Sequence, residues 1–462
     1  MLTCNFEKQR AFRHISLRAD YVIAGGGMTG VCSAITAARA GVKVILVQDR
    51  PVLGGNASSE VRLWVLGATS HMGNNNRWSR EGGVLDEILV ENTFRNKEGN
   101  PVLFDMVLMD KVLAEPNITL LLNTVVYKVE KNDNRTISRL TAINPQNGTE
   151  YTLEGDLFAD CTGDGTVGFL AGADFRMGRE SRDEFGEELA PAAADRMTMG
   201  SSVQWYSVDA GKKTDFPVFS YGLRFDETNC EQVTMGEWKW ETGMNLDQIA
   251  DFERIRDYGL LVVYSNWSFL KNGLRDNGKF RNRELGWVAY IAGKRESRRL
   301  LGDYVLKQDD IDKHVFHEDA SFATTWDLDL HFPDSLNSVR FPGREFKAAT
   351  KHVHIYPYAV PYRCLYSRNV DNLFMAGRNI SVTHVALGSV RVMRTTGMMG
   401  EVVGMAASLC RKYGTSPRGV YQRHLDELRS LMREGVGKKN VPDNQRFNRG
   451  SSLKAPRALR ND

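Results

Sequence analysis

The chain has 462 residues, of which 42% are hydrophobic and 25% are charged, and its formal net charge is +3. These values are typical of a folded globular protein with two or three domains, and they exclude a disordered or fibrous chain. The small net charge argues against binding of nucleic acid over the whole surface. Basic residues are concentrated near the end of the chain, in a segment whose composition is typical of a solvated tail.

The sequence lacks the patterns of a metal site, a dithiol centre, a membrane span and a signal peptide. The six cysteines form no CxxC pair, so neither a zinc site nor a dithiol redox centre is predicted, and we expect no bound metal. No run of about 18 apolar residues occurs, so no membrane span is predicted. Residues 1–19 contain charges and no apolar core of a signal peptide. We therefore expect a cytoplasmic protein, with a removed leader as the open alternative.

The first predicted element is a strand–turn–helix unit with glycines at fixed spacing. An apolar run leads into Gly25-x-Gly27-x-x-Gly30, an Ala-rich helical stretch follows, and a second apolar run at 43–49 closes a βαβ unit of about thirty residues. Gly25 allows a tight turn, Gly27 lets the backbone approach a pyrophosphate, and Gly30 lets the helix lie close to the strand. The phosphates would bind the free N–H groups of the helix. This pattern predicts a dinucleotide site.

The middle of the chain contains a glycine-rich turn at 51–60, a helix at 83–94, and strands with a β-meander between 117 and 165. Composition changes near residue 180, and the segment that follows is rich in tryptophan. A strand and glycine turn then return at 370–378. A helix from about Thr395 ends at Gly414, and a last helix begins after Ser416 as N-cap.

Four motifs in this order resemble those of a known flavoprotein group. They are the glycines at 25–30, Leu53-Gly-Gly55, Asp160-Cys-Thr-Gly-Asp-Gly165 and Leu373-Phe-Met-Ala-Gly-Arg378. The chain thus resembles the FAD-dependent oxidoreductases of the glutathione-reductase-like flavoprotein superfamily. Within it, the chain is most similar to a bacterial group sometimes labelled "putative xanthan lyase". The resemblance covers approximately residues 18–180 and 340–412.

The resemblance, together with the order of elements, implies an α/β fold with a discontinuous Rossmann-like FAD-binding domain. This domain would contain a parallel βαβ sheet with a β-meander and would carry an inserted α+β substrate or cap domain. The predicted boundaries are 18–180 for the first part of the FAD domain, 196–361 for the insertion, 362–414 for the last part, and 415–462 for a C-terminal helix and basic tail.

FAD is the cofactor that the resemblance implies. Most such flavoproteins have a Glu that binds the adenosine ribose where this chain has Gln48, so Gln48 and Asp49 are assigned to the ribose jointly. Arg50 could recognise a 2′-phosphate, which leaves NADP as the less favoured ligand. The helix near Thr395 would point its positive end at the flavin. The residues implied in cofactor binding are Gly25, Gly27, Met28, Thr29, Gly30, Gln48, Asp49, Arg50, Gly54, Gly55, Asn56, Val126, Thr162, Gly163, Asp164, Gly377, Arg378 and Met398.

Flavin chemistry also needs a group that takes up a proton, and histidine is the natural candidate near neutral pH. His384 and Arg391 lie between the late glycine turn and the long helix, and His71 follows the Leu-Gly-Gly turn. His352 and His354 alternate, so they would share one face of a strand. For each histidine the alternative is a structural role, and for Arg391 it is a plain salt bridge.

These observations predict an FAD-dependent oxidoreductase that dehydrogenates a small polar substrate by hydride transfer to flavin N5. The tryptophans of the insertion favour a carbohydrate, including sugar acids, although packing in a core is their alternative role. An FAD-bound lyase or hydrolase acting on a sugar, and a non-catalytic flavin-binding subunit, are the other hypotheses. The sequence identifies neither the electron acceptor, which could be oxygen, a protein or a quinone, nor the oligomeric state.

Overall fold

The computed structural model describes residues 11–67, 81–236, 238–324 and 326–436. The strands are β1 (Arg13–Ala24), β2 (Val44–Val47), β3 (Ile118–Leu121), β4 (Val125–Lys131), β5 (Ile137–Asn144), β6 (Thr149–Asp160), β7 (Phe175–Arg176), β8 (Ser201–Ser202), β9 (Trp205–Asp209), β10 (Arg283–Val288), β11 (Gly293–Lys294), β12 (Arg299–Leu300), β13 (Ala320–Thr324), β14 (Leu328–Pro333), β15 (Ala348–Val353), β16 (Tyr358–Pro361) and β17 (Leu373–Met375).

The helices are α1 (Met28–Arg39), α2 (Gly83–Arg95), α3 (Pro101–Leu113), α4 (Thr166–Ala171), α5 (Arg182–Phe185), α6 (Phe252–Asn272), α7 (Gly278–Arg281), α8 (Gln308–Asp312), α9 (Ser335–Arg340), α10 (His384–Val390), α11 (Met393–Tyr413), α12 (Pro417–Arg423) and α13 (Leu425–Glu434). Short 3-10 turns occupy Gly55–Ala57 and Tyr362–Cys364. None of the helices in the described ranges is long and apolar enough to cross a membrane.

The largest sheet combines both ends of the chain. Its order is β3–β2–β1–β6–β5–β4, and β17 also pairs with β6. The pairs β2–β3, β1–β2, β1–β6 and β6–β17 are parallel, whereas β5 is antiparallel to β4 and β6. The register places Leu373 opposite Phe158, more than 200 positions earlier in the chain. The predicted α/β fold, with a parallel sheet and an antiparallel meander, is therefore confirmed.

The side chains of β1 alternate between two hydrophobic cores, one on each face of this sheet. Tyr21 and Ile23 belong to a core that includes α1 and α11, whereas Val22 and Ala24 belong to a second core with α4 and the meander. Successive side chains of a strand point to opposite faces, so a strand covered on both sides must be apolar throughout. The last four residues of β1 and all of β2 satisfy this requirement, since every one of them is buried.

The aromatic-rich segment, which is the predicted insertion at 196–361, has a hydrophobic core of its own. Trp205, Trp240 and Trp267 pack together there, with ring centroids of neighbouring pairs 5.6 and 5.7 Å apart. These tryptophans thus fill a hydrophobic interior around α6. Phe322 and Val360, in strands β13 and β16, instead pack into the core beside α1 and α11. The boundaries predicted for the insertion remain predictions.

Helices α1 and α11 touch backbone to backbone. A Cβ atom on Gly400 would lie 2.1 Å from the carbonyl oxygen of Thr29, and one on Gly404 would lie 2.7 Å from that of Ser33. Both distances are shorter than real contacts of a Cβ atom, so these positions of α11 must carry no side chain. The contact packs the middle of α11 against the first two turns of α1.

We predict that Gly400→Ala destabilises the protein by about 1–3 kcal/mol, because the added methyl group has no space against α1. This loss should exceed the gain of about 1 kcal/mol that Ala brings to a helix interior. Gly82→Ala is the control, since a Cβ atom there meets nothing within 4 Å. Urea denaturation of both variants measures the difference. Equal midpoints for Gly400→Ala and the parent protein would contradict the packing argument.

Candidate functional site

A cavity opens at the carboxyl edge of the large sheet. Strands β1, β2, β6 and β17 are parallel and end there at Ala24, Val47, Asp160 and Met375. Ligands of open α/β sheets bind at this edge, outside the carboxyl ends of the strands. The predicted cofactor residues that line the cavity are Gly25, Gly27, Met28, Thr29, Gln48, Asp49, Arg50, Gly54, Gly55, Asn56, Val126, Thr162, Gly163, Asp164, Gly377 and Arg378. Gly30 and Met398 are outside this lining.

Each of the three glycines in the first turn is needed for a different steric reason. Gly25 has φ +104°, and a Cβ atom on it would lie 2.2 Å from the carbonyl oxygen of Cys161. A Cβ atom on Gly30 would lie 1.8 Å from the carbonyl oxygen of Gly25. A Cβ atom on Gly27 would lie 3.9 Å from the Cα atom of Gly55, the nearest atom it would meet. Gly25 and Gly30 therefore allow the turn to close, whereas Gly27 leaves space that faces the cavity.

This space fits a pyrophosphate. Helix α1 begins beside it, and no side chain caps the helix N-terminus. The first N–H groups of a helix and its positive dipole end bind phosphate oxygens. Val125 and Val126 line the same cavity on the meander side, where the sequence resemblance implies the adenine. The cavity thus presents both a phosphate-binding turn and a wall for a base.

Gln48 has a structural task that the sequence does not reveal. Its buried side chain accepts a hydrogen bond from the Gly26 N–H at 2.7 Å and donates one to the Val52 carbonyl at 3.2 Å. The amide thereby ties the glycine turn to the end of β2. Asp49, its neighbour in the cavity lining, is exposed. Within the joint assignment, Asp49 is therefore the side chain free to bind ribose hydroxyls.

A charged corner joins the sheet edge to the aromatic-rich segment. Asp164 forms ion pairs with Lys294 at 2.6 Å and Arg378 at 3.0 Å, and all three residues line the cavity. Burial alone would raise the pKa of Asp164, but the two cations outweigh it and lower this pKa to about 2. Asp164 is thus ionised at neutral pH and holds both cations at the cavity wall.

A second charged cluster is defined by Arg295, Asp329 and Arg391 in the cavity lining and by Glu241 and His331, which contact them outside the lining. Arg391 donates to an Asp329 carboxylate oxygen at 2.8 Å. The Nε2 atom of His331 lies 3.0 Å from the other oxygen of Asp329, and its Nδ1 atom contacts Glu241. Burial opposes ionisation of Asp329, but Arg391 and then His331 keep its pKa well below the usual range.

The predicted catalytic residues are spread over different places. Arg391 lines the cavity, whereas His384 is buried outside the lining, with its Nδ1 atom 2.9 Å from Glu296. His352 and His354 lie beyond the lining too, and their side chains are 47% and 36% exposed. They contact Asp329 at 3.4 Å and Asp327 at 3.5 Å, respectively. His71 falls outside the described residues.

Sequence reasoning missed the residues that the aromatic-rich segment contributes to the cavity. Trp238, Lys294, Arg295 and Asp329 belong to this group, as does the pair Glu241 and His331 behind it. One signal was present in the sequence. The run 293–299 is rich in charged residues, yet it lacks the alternating apolar residues that would identify it as a strand with one face exposed on the surface. In the structure most of this run is buried.

The first prediction from this geometry concerns Gly27→Val. The variant should fold, because the protein leaves space at Gly27, but it should not retain FAD, because the valine occupies the approach to the phosphates. Gly25→Ala should instead destabilise the protein itself, since its Cβ atom meets the backbone of Cys161. The flavin-to-protein absorbance ratio and thermal unfolding separate the two effects. Retention of FAD by Gly27→Val would contradict the assignment.

The second prediction concerns Asp49→Asn. If the Asp49 carboxylate binds the ribose, the variant should weaken FAD binding about tenfold, the loss expected for one hydrogen bond to a charged group. Flavin fluorescence on titration of the apoprotein with FAD measures the affinity. Asp215→Asn, at a side chain that is 92% exposed, is the charge-matched control. An unchanged affinity in Asp49→Asn would remove Asp49 from the ribose site.

Comparison with known proteins finds several solved structures that are similar to the chain. The solved structures similar to the chain include a quinol fumarate reductase of E. coli (13% identity, 89% of this chain, 74% of that chain, TM-score 0.33). An adenylylsulfate reductase of Archaeoglobus fulgidus (11%, 87%, 71%, 0.40) and a geranylgeranyl bacteriochlorophyll reductase-like protein of Thermoplasma acidophilum (11%, 92%, 85%, 0.35) are also similar. No match was found among curated proteins.

The family assignment comes from a sequence model. The model described as "FAD dependent oxidoreductase" matches residues 20–432, which is most of the chain. That range contains the whole described cavity lining and all strands of the large sheet except the first residues of β1. The chain therefore belongs to the FAD dependent oxidoreductase family, and it is a flavin enzyme with FAD as its cofactor.

Proposed function

We propose that this enzyme dehydrogenates a small polar substrate that carries a hydroxyl group, with FAD as the hydride acceptor. The observation that carries the proposal is the cluster of Asp329, His331 and Glu241 at the cavity wall. It lies at the same cavity as the phosphate-binding turn but is built from a different part of the chain. The narrower resemblance, to glutathione-reductase-like enzymes and to the group labelled "putative xanthan lyase", is part of this proposal.

The chemistry that FAD supplies when bound is acceptance of a hydride equivalent at N5. Removal of a hydride from an alcohol carbon also releases the hydroxyl proton, and the protein must take up that proton. Asp329 is an ionised hydrogen-bond acceptor in the cavity lining, so it can orient the substrate hydroxyl. It is a weak base, because the charge of Arg391 favours its ionised form.

His331 can hold the proton instead. The imidazole lies between two carboxylates, so a second proton on the ring finds a partner at each nitrogen: Asp329 at Nε2 and Glu241 at Nδ1. A proton released at Asp329 therefore has 3.0 Å to cross from the Asp329 carboxylate to the Nε2 atom. In this proposal His331 replaces His384, which is buried outside the lining and paired with Glu296.

The substrate remains defined only by class. Trp238 and Trp64 line the cavity and offer ring faces that suit a sugar, while the other tryptophans described in the aromatic-rich segment lie outside the lining. One face of Trp238 is covered by the Arg295 guanidinium, 3.7 Å from the ring centroid. A carbohydrate or a sugar acid is therefore the substrate class that we propose to test first.

Anaerobic mixing of the FAD-loaded enzyme with neutral sugars, polyols, hydroxy acids and sugar acids tests the proposal. Dehydrogenation should bleach the visible absorption of the flavin, with one oxidised product formed for each flavin reduced. Turnover of a substrate without bleaching would instead support the lyase or hydrolase hypothesis. A folded FAD-loaded protein that reacts with none of these classes in either way would contradict dehydrogenation.

We predict that His331→Asn slows flavin reduction by a bleaching substrate about 100-fold or more, the usual contribution of a general base. His424→Asn, at a histidine that stacks on Tyr413 outside the cavity lining, is the control. An unchanged rate of flavin reduction in His331→Asn would exclude this path.

A further inference from the structure

We propose that Trp64 contacts the isoalloxazine ring of bound FAD and that Arg62 is the residue that positions it. The inference concerns the cofactor of the family, so it does not depend on dehydrogenation as the reaction. Both residues lie in the 61–66 segment, which follows the 3-10 turn Gly55–Ala57. The motifs described in the sequence analysis contain neither residue.

The 61–66 segment presents an apolar surface to the cavity. It contains four consecutive apolar residues that are not buried: Leu63, Trp64, Val65 and Leu66. Val65 packs against the main core, whereas Leu63 and Leu66 belong to no hydrophobic cluster of the described residues. These two leucines line the cavity together with Trp64, which is 69% exposed. A ligand that covers this indole would gain binding free energy from removing its ring from water.

Arg62 sets the direction of the segment. Its φ is +59°, in the left-handed region that is unfavourable for a residue other than glycine unless contacts hold it there. The Arg62 Nη1 atom donates to the Tyr206 hydroxyl at 2.9 Å, and the guanidinium lies 4.1 Å from the ring centroid of Trp287. These partners belong to β9 and β10. Contacts with the aromatic-rich segment thus hold the strained residue that precedes Leu63 and Trp64.

The other end of the segment is tied to the beginning of α11. The Arg394 N–H donates to the Leu66 carbonyl at 3.0 Å, and the Arg394 Nε atom donates to the Val65 carbonyl at 2.9 Å. Met393, the first residue of α11, also lines the cavity. Trp64 therefore lies between two fixed points, one on the aromatic-rich segment and one at the N-terminus of a 21-residue helix.

The chemistry of FAD decides which of its parts suits this place. A tryptophan ring favours a flat aromatic group, and FAD has two such groups, adenine and isoalloxazine. The first N–H groups of α11 and its positive dipole end favour a group with acceptor oxygens or negative charge. Isoalloxazine has carbonyl oxygens and gains negative charge on reduction, whereas adenine has neither property. The assignment leaves Trp238 as the tryptophan of the lining that can face a sugar.

Titration of the apoprotein with FAD and with ADP, followed by calorimetry, tests the contact. ADP contains the adenine and the pyrophosphate of FAD but lacks the isoalloxazine ring. We expect Trp64→Leu to raise the dissociation constant of FAD about 3- to 10-fold, the effect of one aromatic pair, and to leave that of ADP unchanged. Tyr290→Leu is the control and should bind both ligands as the parent does. Tyr290 is also 69% exposed but lies outside the cavity lining.

Arg62→Gly tests the positioning role. Glycine adopts a φ of +59° freely, so this variant removes the contacts of the side chain without adding strain to the backbone. If Arg62 acts through Trp64, the variant should weaken FAD binding by a similar factor and leave ADP binding unchanged. It should also cause no further loss when residue 64 is already Leu. A merely structural role would lower the affinity for both ligands and the thermal stability of the apoprotein.

Three results would overturn the inference. Equal losses of FAD and ADP affinity in Trp64→Leu would assign the tryptophan to the adenine end of the cofactor. Unchanged affinity for both ligands would exclude a contact with the cofactor. Additive losses in the double variant would show that Arg62 does not act through Trp64. None of these measurements uses a substrate, so they stand whether or not the enzyme is a dehydrogenase.

Discussion

The architecture depends on contacts in which backbone meets backbone with no side chain between. The turn after β1 lies against the carbonyl of Cys161, and α1 lies against α11 through Gly400. These contacts bring together segments from opposite ends of the chain. They place the beginnings of two helices at one cavity, and one of these carries the space at Gly27 that a pyrophosphate needs. Any side chain at the contacts would separate the elements and remove the site.

The cavity is completed by charges that hydrophobic packing alone would not retain. Asp164 with Lys294 and Arg378, and Asp329 with Arg391, form ion pairs in the same lining, and their side chains are at most 20% exposed. Burial of charges is costly unless they are paired, and it is seldom a source of net stability. Their presence at a cofactor cavity is therefore better explained by ligand positioning than by stabilisation of the fold. The aromatic-rich segment contributes Lys294 to the first cluster and every member of the second except Arg391.

The parts of the site that could be predicted are those with a local cause. The glycine turn follows from steric limits within a few residues. Helix α11 ends at Gly414 as its C-cap, and α12 begins after Ser416 as its N-cap. The cluster around His331 could not be predicted, because Glu241 and Asp329 reach it from segments that are far apart in sequence. Likewise, the engagement of Gln48 with the Gly26 N–H depends on how the turn closes in three dimensions.

Whether this cavity holds FAD is decided by identification of the flavin bound to the protein. We expect the purified protein to be yellow, or to become so after incubation with FAD. Heat or acid should release FAD, identified by chromatography and mass spectrometry, at one molecule for each chain. A protein that remains colourless after incubation with FAD and instead binds NADP tightly would exclude the FAD site.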